Sequence, residues 1–294
     1  MSALAFTVLA LALTGPVPSV LARASWPLRA PRAAVVLWQS VALAAVLSAF
    51  SAGLSIVVLL SRSGADALGR PLALVALVVF VLTLVIGARL AAAAAAVAVG
   101  TRRRRARHRK IVDLVGTCRH DSVRVLQARE PLAYCLPGMR GRVVLSEGAL
   151  RALSESELAA ILRHERTHLR ARHDLVLEAF IALHEAFPRM VRSGSALAAV
   201  RLLVELLADD AAVRATGPAP LARALVACAS ARVPAGALAA GGGTTVVRVR
   251  RLAGPPNSRL LALSAYLAAA AILVVPTVAV AVPWLTEIHR FFLA

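Results

Sequence analysis

The sequence predicts a polytopic α-helical membrane protein of about four spans, with one α+β domain inserted before the last of them. Three observations lead there. Hydrophobic residues make up 59% of the 294 positions and mean hydropathy is +0.75, whereas a soluble domain sits near half apolar. The excess is gathered into four blocks, each long enough for the roughly 20 helical residues that cross a bilayer. Outside the blocks about 150 residues remain, enough for one compact domain.

The first block runs from about Ala3 to Leu21 and is interrupted by Gly15-Pro16-Val17-Pro18. The second covers about residues 33–60, the third about 71–100 with an alanine-rich end, and the fourth about 260–284. Residues 1–100 are thus read as three spans, 101–231 as the domain, 232–259 as a flexible linker rich in Ala, Gly and Pro, and 285–294 as a short extracytoplasmic tail. The first block could instead be a cleaved signal peptide ending at Ala22-Arg23-Ala24. It has no basic n-region, however, and cleavage would place the later basic run outside.

The formal charge is +19 and the pI about 11.8. Nucleic-acid binding is not expected, because aromatics are only 4% and no basic aromatic platform exists. The arginines instead flank the spans: Arg23, Arg29 and Arg32 in the first loop, and the run Arg102-Arg103-Arg104-Arg105-Ala106-Arg107-His108-Arg109-Lys110 after the third block. Cationic flanks stay inside, so the domain faces the cytoplasm and both termini lie outside. The run itself reads as a stop-transfer flank held near anionic lipid. Cys118, Cys135 and Cys228 are far apart, with no C-x-x-C pair, and read as buried free thiols of a reducing compartment.

Within the domain, residues 122–126, 132–136 and 142–145 read as short strands, with Pro137-Gly138 and Arg140-Gly141 near turns. Ser154-Glu155-Ser156-Glu157 is a capping box opening a long helix, which Pro188 limits. A further helix covers about Ser195 to Ala215 and stops before Gly217-Pro218.

The chemistry lies on the helix opened by Ser154, in His164-Glu165-Arg166-Thr167-His168. Histidines four apart share one helix face and can share one metal. Zinc suits two imidazoles and a carboxylate with a fourth position left for water, one ion per chain. Glu165 is placed to take a proton from metal-activated water as general base rather than to ligate. A third ligand is needed, and Glu205 on the next helix supplies it. Asp209, four residues on, projects from the same face and fits behind the metal, accepting the distal N–H of a ligand histidine.

An H-E-x-x-H segment in an Arg-rich helix can also be a solvated charged face. The apolar frame of Leu158, Ile161, Leu162, Leu169 and Leu175 speaks against that. His173 is five residues past His168, an offset that turns it away from the ligand face, so it sits behind the ligands or on the surface. Asp174 reads as a partner of an arginine such as Arg170, and His184-Glu185 as ordinary helix surface. An extended protein or peptide substrate could add to an edge strand at Val143, Val144, Leu145 and Ser146. The rival reading is a non-catalytic membrane scaffold with a structural zinc. Glu165 discriminates, because a structural site has no use for a base beside its ligands.

The segment from His164 to Asp174, the pair Glu205 and Asp209, and the lead-in Val143-Val144-Leu145-Ser146-Glu147-Gly148-Ala149-Leu150 resemble membrane gluzincins of the bacterial beta-lactam sensor-transducer peptidase family. The heat-shock and prenyl-protein membrane proteases are more distantly similar. The likeness covers about residues 110–215, and the layout of three spans plus one agrees with it. It implies an inserted α+β gluzincin-type zinc protease domain in a bacterial plasma membrane. It also implies a cytoplasm-facing endopeptidase site with His164, His168 and Glu205 as ligands. The substrate class would be a cytoplasmic regulator such as a transcriptional repressor. Those sensors carry an extracellular penicillin-binding domain after the last span, where only about ten residues follow Trp284. The expectation is a member without that sensor.

Overall fold

The computed structural model describes residues 2–63, 70–120, 122–138, 141–187, 194–229, 238–239 and 244–293. These form two compact units, one of residues 1–93, 182–199 and 258–294, the other of residues 94–181 and 200–257.

The first unit holds α1 (Ser2–Thr14), α2 (Pro16–Arg23), α3 (Pro31–Ser63), the start of α4 (Arg70–Val115) and α11 (Arg259–Leu293). Four stretches are long and apolar enough to cross a membrane: Leu4–Arg23, Pro31–Ile56, Ala73–Val115 and Arg259–Val278. They occupy the four blocks seen in the sequence. α1 gives way to α2 at Gly15, because Pro16 has no N–H to continue the helical ladder. α1 and α11 both lie against α3. α3 and α4 approach closely at small residues: a Cβ on Gly53 would lie 2.5 Å from Thr83 Oγ1, and one on Gly87 would lie 3.0 Å from the Phe50 ring.

α4 is longer than expected. Its 46 residues extend about 69 Å at 1.5 Å per residue, against a hydrocarbon core of about 30 Å. The helix does not stop near residue 100 but carries on through the basic run. Residues 101–115 contain no Gly or Pro and are rich in Arg, a strong helix former.

The second unit is built on a sheet of β1 (Thr117–His120), β2 (Val123–Leu126), β3 (Ala133–Leu136), β4 (Arg142–Ser146) and β5 (Leu238–Ala239), in the order β1-β2-β4-β3-β5. β4 pairs parallel with β2 and antiparallel with β3. Residues 143–146 are therefore not an open edge, and the expectation that a substrate strand adds there is wrong. The Ser146 hydroxyl is also spent. It accepts from Leu132 N and Ala149 N and donates to Glu130 O, capping α5 (Glu147–Ala152).

Side-chain alternation splits the sheet into two faces. Tyr134, Leu136 and Val144 pack with Val112 of α4. Ala133, Val143 and Leu145 face Ala160 and Ile161 of α6 (Glu155–Arg170), with Leu221, Ala224 and Leu225 of α9 (Pro218–Ala227) beyond. The basic run also takes part. Arg105 pairs with Asp174 and Glu178, His108 meets the Tyr134 hydroxyl at 2.9 Å, and Arg109 donates to Pro137 O at 2.7 Å. One side of the run is thus domain structure rather than a free flank.

The helix expected to run from Ser154 to Pro188 is two helices. α6 ends at Arg170, Arg172 takes φ 51°, and α7 spans His173–Ala186; Pro188 lies outside the described residues. α8 (Gly194–Thr216) ends at Gly217, whose φ of 83° breaks the helix before Pro218. The stretch read as a linker contains α10 (Thr245–Leu252), and the compact unit extends through Asn257. Residues 232–237 and 240–243 lie outside the described residues.

Candidate metal centre

α6 starts as its sequence dictates. The Ser154 hydroxyl accepts from Glu157 N and the Glu157 carboxylate accepts from Ser154 N. That reciprocal cap sets the helix phase, and its apolar side carries Ala160 and Ile161 into the core. His164, Glu165 and His168 follow on the same buried side, each with no solvent exposure.

α8 supplies the acidic partners. Glu205 and Asp209, one turn apart, both face α6: His164 Nε2 lies 3.3 Å from Glu205 Oε2, and His168 Nε2 lies 3.5 Å from Glu205 Oε1. The two histidine Nε2 atoms are 3.1 Å apart. Metal–ligand bonds of 2.0–2.2 Å in a tetrahedron put neighbouring ligand atoms about 3.4 Å apart. Separations of 3.1, 3.3 and 3.5 Å fit one small cation held by His164, His168 and Glu205. These three also form the one candidate cluster of metal-ligating groups among the described residues.

The far sides of both imidazoles are occupied. His164 Nδ1 lies 3.0 Å from Asp209 Oδ1. His168 Nδ1 lies 3.0 Å from His173 Nδ1. The five-residue offset would turn His173 away on a continuous helix. The break at Arg172 starts α7 afresh and returns the ring to His168. Asp174 beside it pairs with arginine, as expected, through Arg105 and Arg172.

Glu165 is different. Neither carboxylate oxygen has a hydrogen-bond partner among the described residues, and it faces the Cys135 thiol of β3. Burial lifts its pKa to about 7, against the opposing His164 charge. Burial also pushes His168 down to about 3 and His173 to about 4, so both rings are neutral. A donated Nδ1–H from His168 to His173 then leaves His168 Nε2 free as a ligand. For His164, burial works against the charged form, but Asp209 and Glu205 outweigh it and raise the pKa to about 9. In the metal-free protein His164 holds the proton that a bound metal would displace.

Two residues at the site were not anticipated. Cys135 is buried against Glu165 and carried no sequence signal beyond being a lone cysteine. Arg248 of α10 is 1% exposed, with Nη2 2.6 Å from Asp209 Oδ1 and Nη1 3.1 Å from Glu205 Oε2. Its signal was the short amphipathic stretch Val246-Val247-Arg248-Val249-Arg250-Arg251-Leu252, masked by Gly-rich surroundings.

Residues 98–203 match the model of peptidase family M48. No curated protein and no solved structure matches the chain. The matched region contains His164, Glu165 and His168 and stops two residues before Glu205. M48 peptidases are typically zinc-dependent, and the His–His–Glu cluster is the donor set such a metal needs. The match supports an M48 metallopeptidase, a hydrolase of peptide bonds, in a chain with four membrane-length apolar helices.

Proposed function

We propose that this chain is an integral-membrane zinc endopeptidase whose domain faces the cytoplasm. The observation that carries the reading is the fully buried Glu165 carboxylate, with no nitrogen or oxygen hydrogen-bond partner among the described residues, beside three converging ligand atoms. A buried carboxylate without a partner costs stability, and a purely structural metal site gains nothing from it. Bound by His164, His168 and Glu205, zinc would supply Lewis-acid polarisation of the scissile carbonyl and make water more acidic.

The remaining work falls to side chains. Asp209 Oδ1, 3.0 Å from His164 Nδ1, would hold the imidazole proton on that side and so leave His164 Nε2 for the metal. Glu165 takes a proton from the attacking water on a carboxylate oxygen and gives it to the leaving amine nitrogen. The orientation rests on the arginines of residues 23–32 and 102–109. The resemblance to sensor-transducer peptidases points to a cytoplasmic regulator, such as a transcriptional repressor, as substrate.

The test is cleavage in cells. A proteome comparison between wild type and Glu165→Gln should reveal a substrate that is cut by the first and retained whole by the second. Equal cleavage by both would overturn the proposed role of Glu165.

A further inference from the structure

Arg248 lies outside the matched region, on a helix between Gly-rich residues and the last span, yet it is among the most buried side chains of the site. We propose that Arg248 is a positioning residue that locks the third ligand Glu205 and the histidine-orienting Asp209 into one rigid unit. The proposal rests on the zinc-peptidase reading above.

The geometry is specific. Arg248 Nε donates to Asp209 Oδ2 at 2.8 Å and Nη2 donates to Oδ1 at 2.6 Å. This is the two-pronged guanidinium–carboxylate pairing, which fixes the carboxylate plane as well as its charge. The third nitrogen, Nη1, reaches Glu205 Oε2 at 3.1 Å. Nη2 also approaches His164 Nε2 at 3.5 Å. One planar cation thus spans the two acidic side chains that α8 projects one turn apart.

Charge balance requires something of this kind. Glu165, Glu205 and Asp209 bring three carboxylates into one buried space, and Glu205 and Asp209 repel each other at i,i+4. A divalent cation neutralises two of the three charges, and Arg248 the remaining one. Orientation follows from the same contacts. With both oxygens of Asp209 held by Arg248, Asp209 Oδ1 remains 3.0 Å from His164 Nδ1, and His164 keeps the tautomer that leaves Nε2 for the metal.

α10 is held in place by further contacts to the neighbouring acid on α8. Arg251 pairs with Asp210 at 2.8 Å, and Asn257 Nδ2 donates to Asp210 Oδ2 at 2.8 Å. The helix therefore docks on α8 through two successive aspartates, which fixes where Arg248 enters.

The test uses the full-length protein in detergent and measures zinc affinity by chelator competition. The visible spectrum of the cobalt-substituted protein reads ligand geometry. Arg248→Met should weaken zinc binding about 10–100-fold, the usual loss when the partner behind a ligand is removed. Asp209→Asn should cost a similar factor. The double variant should be no weaker than the poorer single one, because residues of one unit do not contribute independently. Arg248→Lys keeps the charge but not the fork, and should still weaken zinc binding and shift the cobalt spectrum.

Wild-type zinc affinity in Arg248→Lys or Arg248→Met would overturn the proposal, as would losses that multiply in the double variant. Should Arg248→Met fail to fold, Arg248→Lys and the charge-neutral double variant decide the same question. If the wild-type protein itself binds no zinc, the peptidase reading falls together with this one. If it binds zinc and the Arg248 variants bind it equally well, only the positioning role falls.

Discussion

Replacing Glu165 by Gln should slow the enzyme and stabilise its metal-free form, with the stabilisation appearing only above acidic pH. Burial lifts the Glu165 carboxyl from 4.5 to about 7. A carboxyl whose folded pKa lies above its unfolded value costs nothing while protonated. The cost enters as pH rises through the window from 4.5 to about 7 and is complete above it. At about 1.4 kcal/mol per unit, the carboxylate costs the metal-free fold about 3 kcal/mol at pH 8. Gln keeps the shape without the charge. The burial of an unsatisfied amide costs about 1–3 kcal/mol at any pH, so the pH-dependent part of the difference is the diagnostic one. About 0.8 kcal/mol of that cost is already present at pH 5, so by the scaling of about 2–4 °C per kcal/mol the melting advantage of Glu165→Gln at pH 8 over that at pH 5 should be roughly 5–10 °C. The assay is thermal unfolding of the zinc-stripped full chain in detergent at both pH values, with cleavage measured beside it. Cleavage should fall about 10²–10⁴-fold, the usual worth of a positioned acid–base group. A melting difference that does not change with pH would refute the desolvated state of Glu165.

Other regions make separate demands. A Cβ on Gly148 would run into the backbone carbonyl of Arg129, which cannot swing aside as a flexible side chain could. Gly148→Ala should therefore lower thermal stability by about 1–3 kcal/mol, and an unchanged melting temperature would mean the turn at residues 129–130 is softer than its packing implies. A phosphatase reporter that works only outside the cytoplasm, fused after Ala229, should stay silent, and activity there would reverse the proposed orientation.

Much of this was legible in the sequence, for local reasons. Spans announce themselves by length and apolarity, and Ser154 and Glu157 lie three residues apart where a capping box needs them. His164 with His168, and Glu205 with Asp209, are paired by helical periodicity alone. What escaped depended on distant contacts. No local signal says that β4 pairs parallel with β2, so residues 143–146 looked like a free edge when they are paired on both sides. The positive φ of Arg172, a non-glycine residue, was not foreseeable, so the sequence left open whether His173 lies behind the ligands or on the surface. The basic run after the third span has the composition of a membrane flank, yet Arg105 and Arg109 are bound within the domain. Arg248 was the largest omission. Its helix has only eight residues, and its importance lies in two acids that stand about forty positions earlier.

The central claim, one zinc ion held by His164, His168 and Glu205, is tested most directly by the metal content of the purified full chain. The wild-type protein should carry one zinc per chain and lose cleavage on chelation. Glu205→Gln should bind zinc more weakly, and the double variant His164→Ala, His168→Ala should carry essentially none. Full zinc occupancy in that double variant would contradict the account.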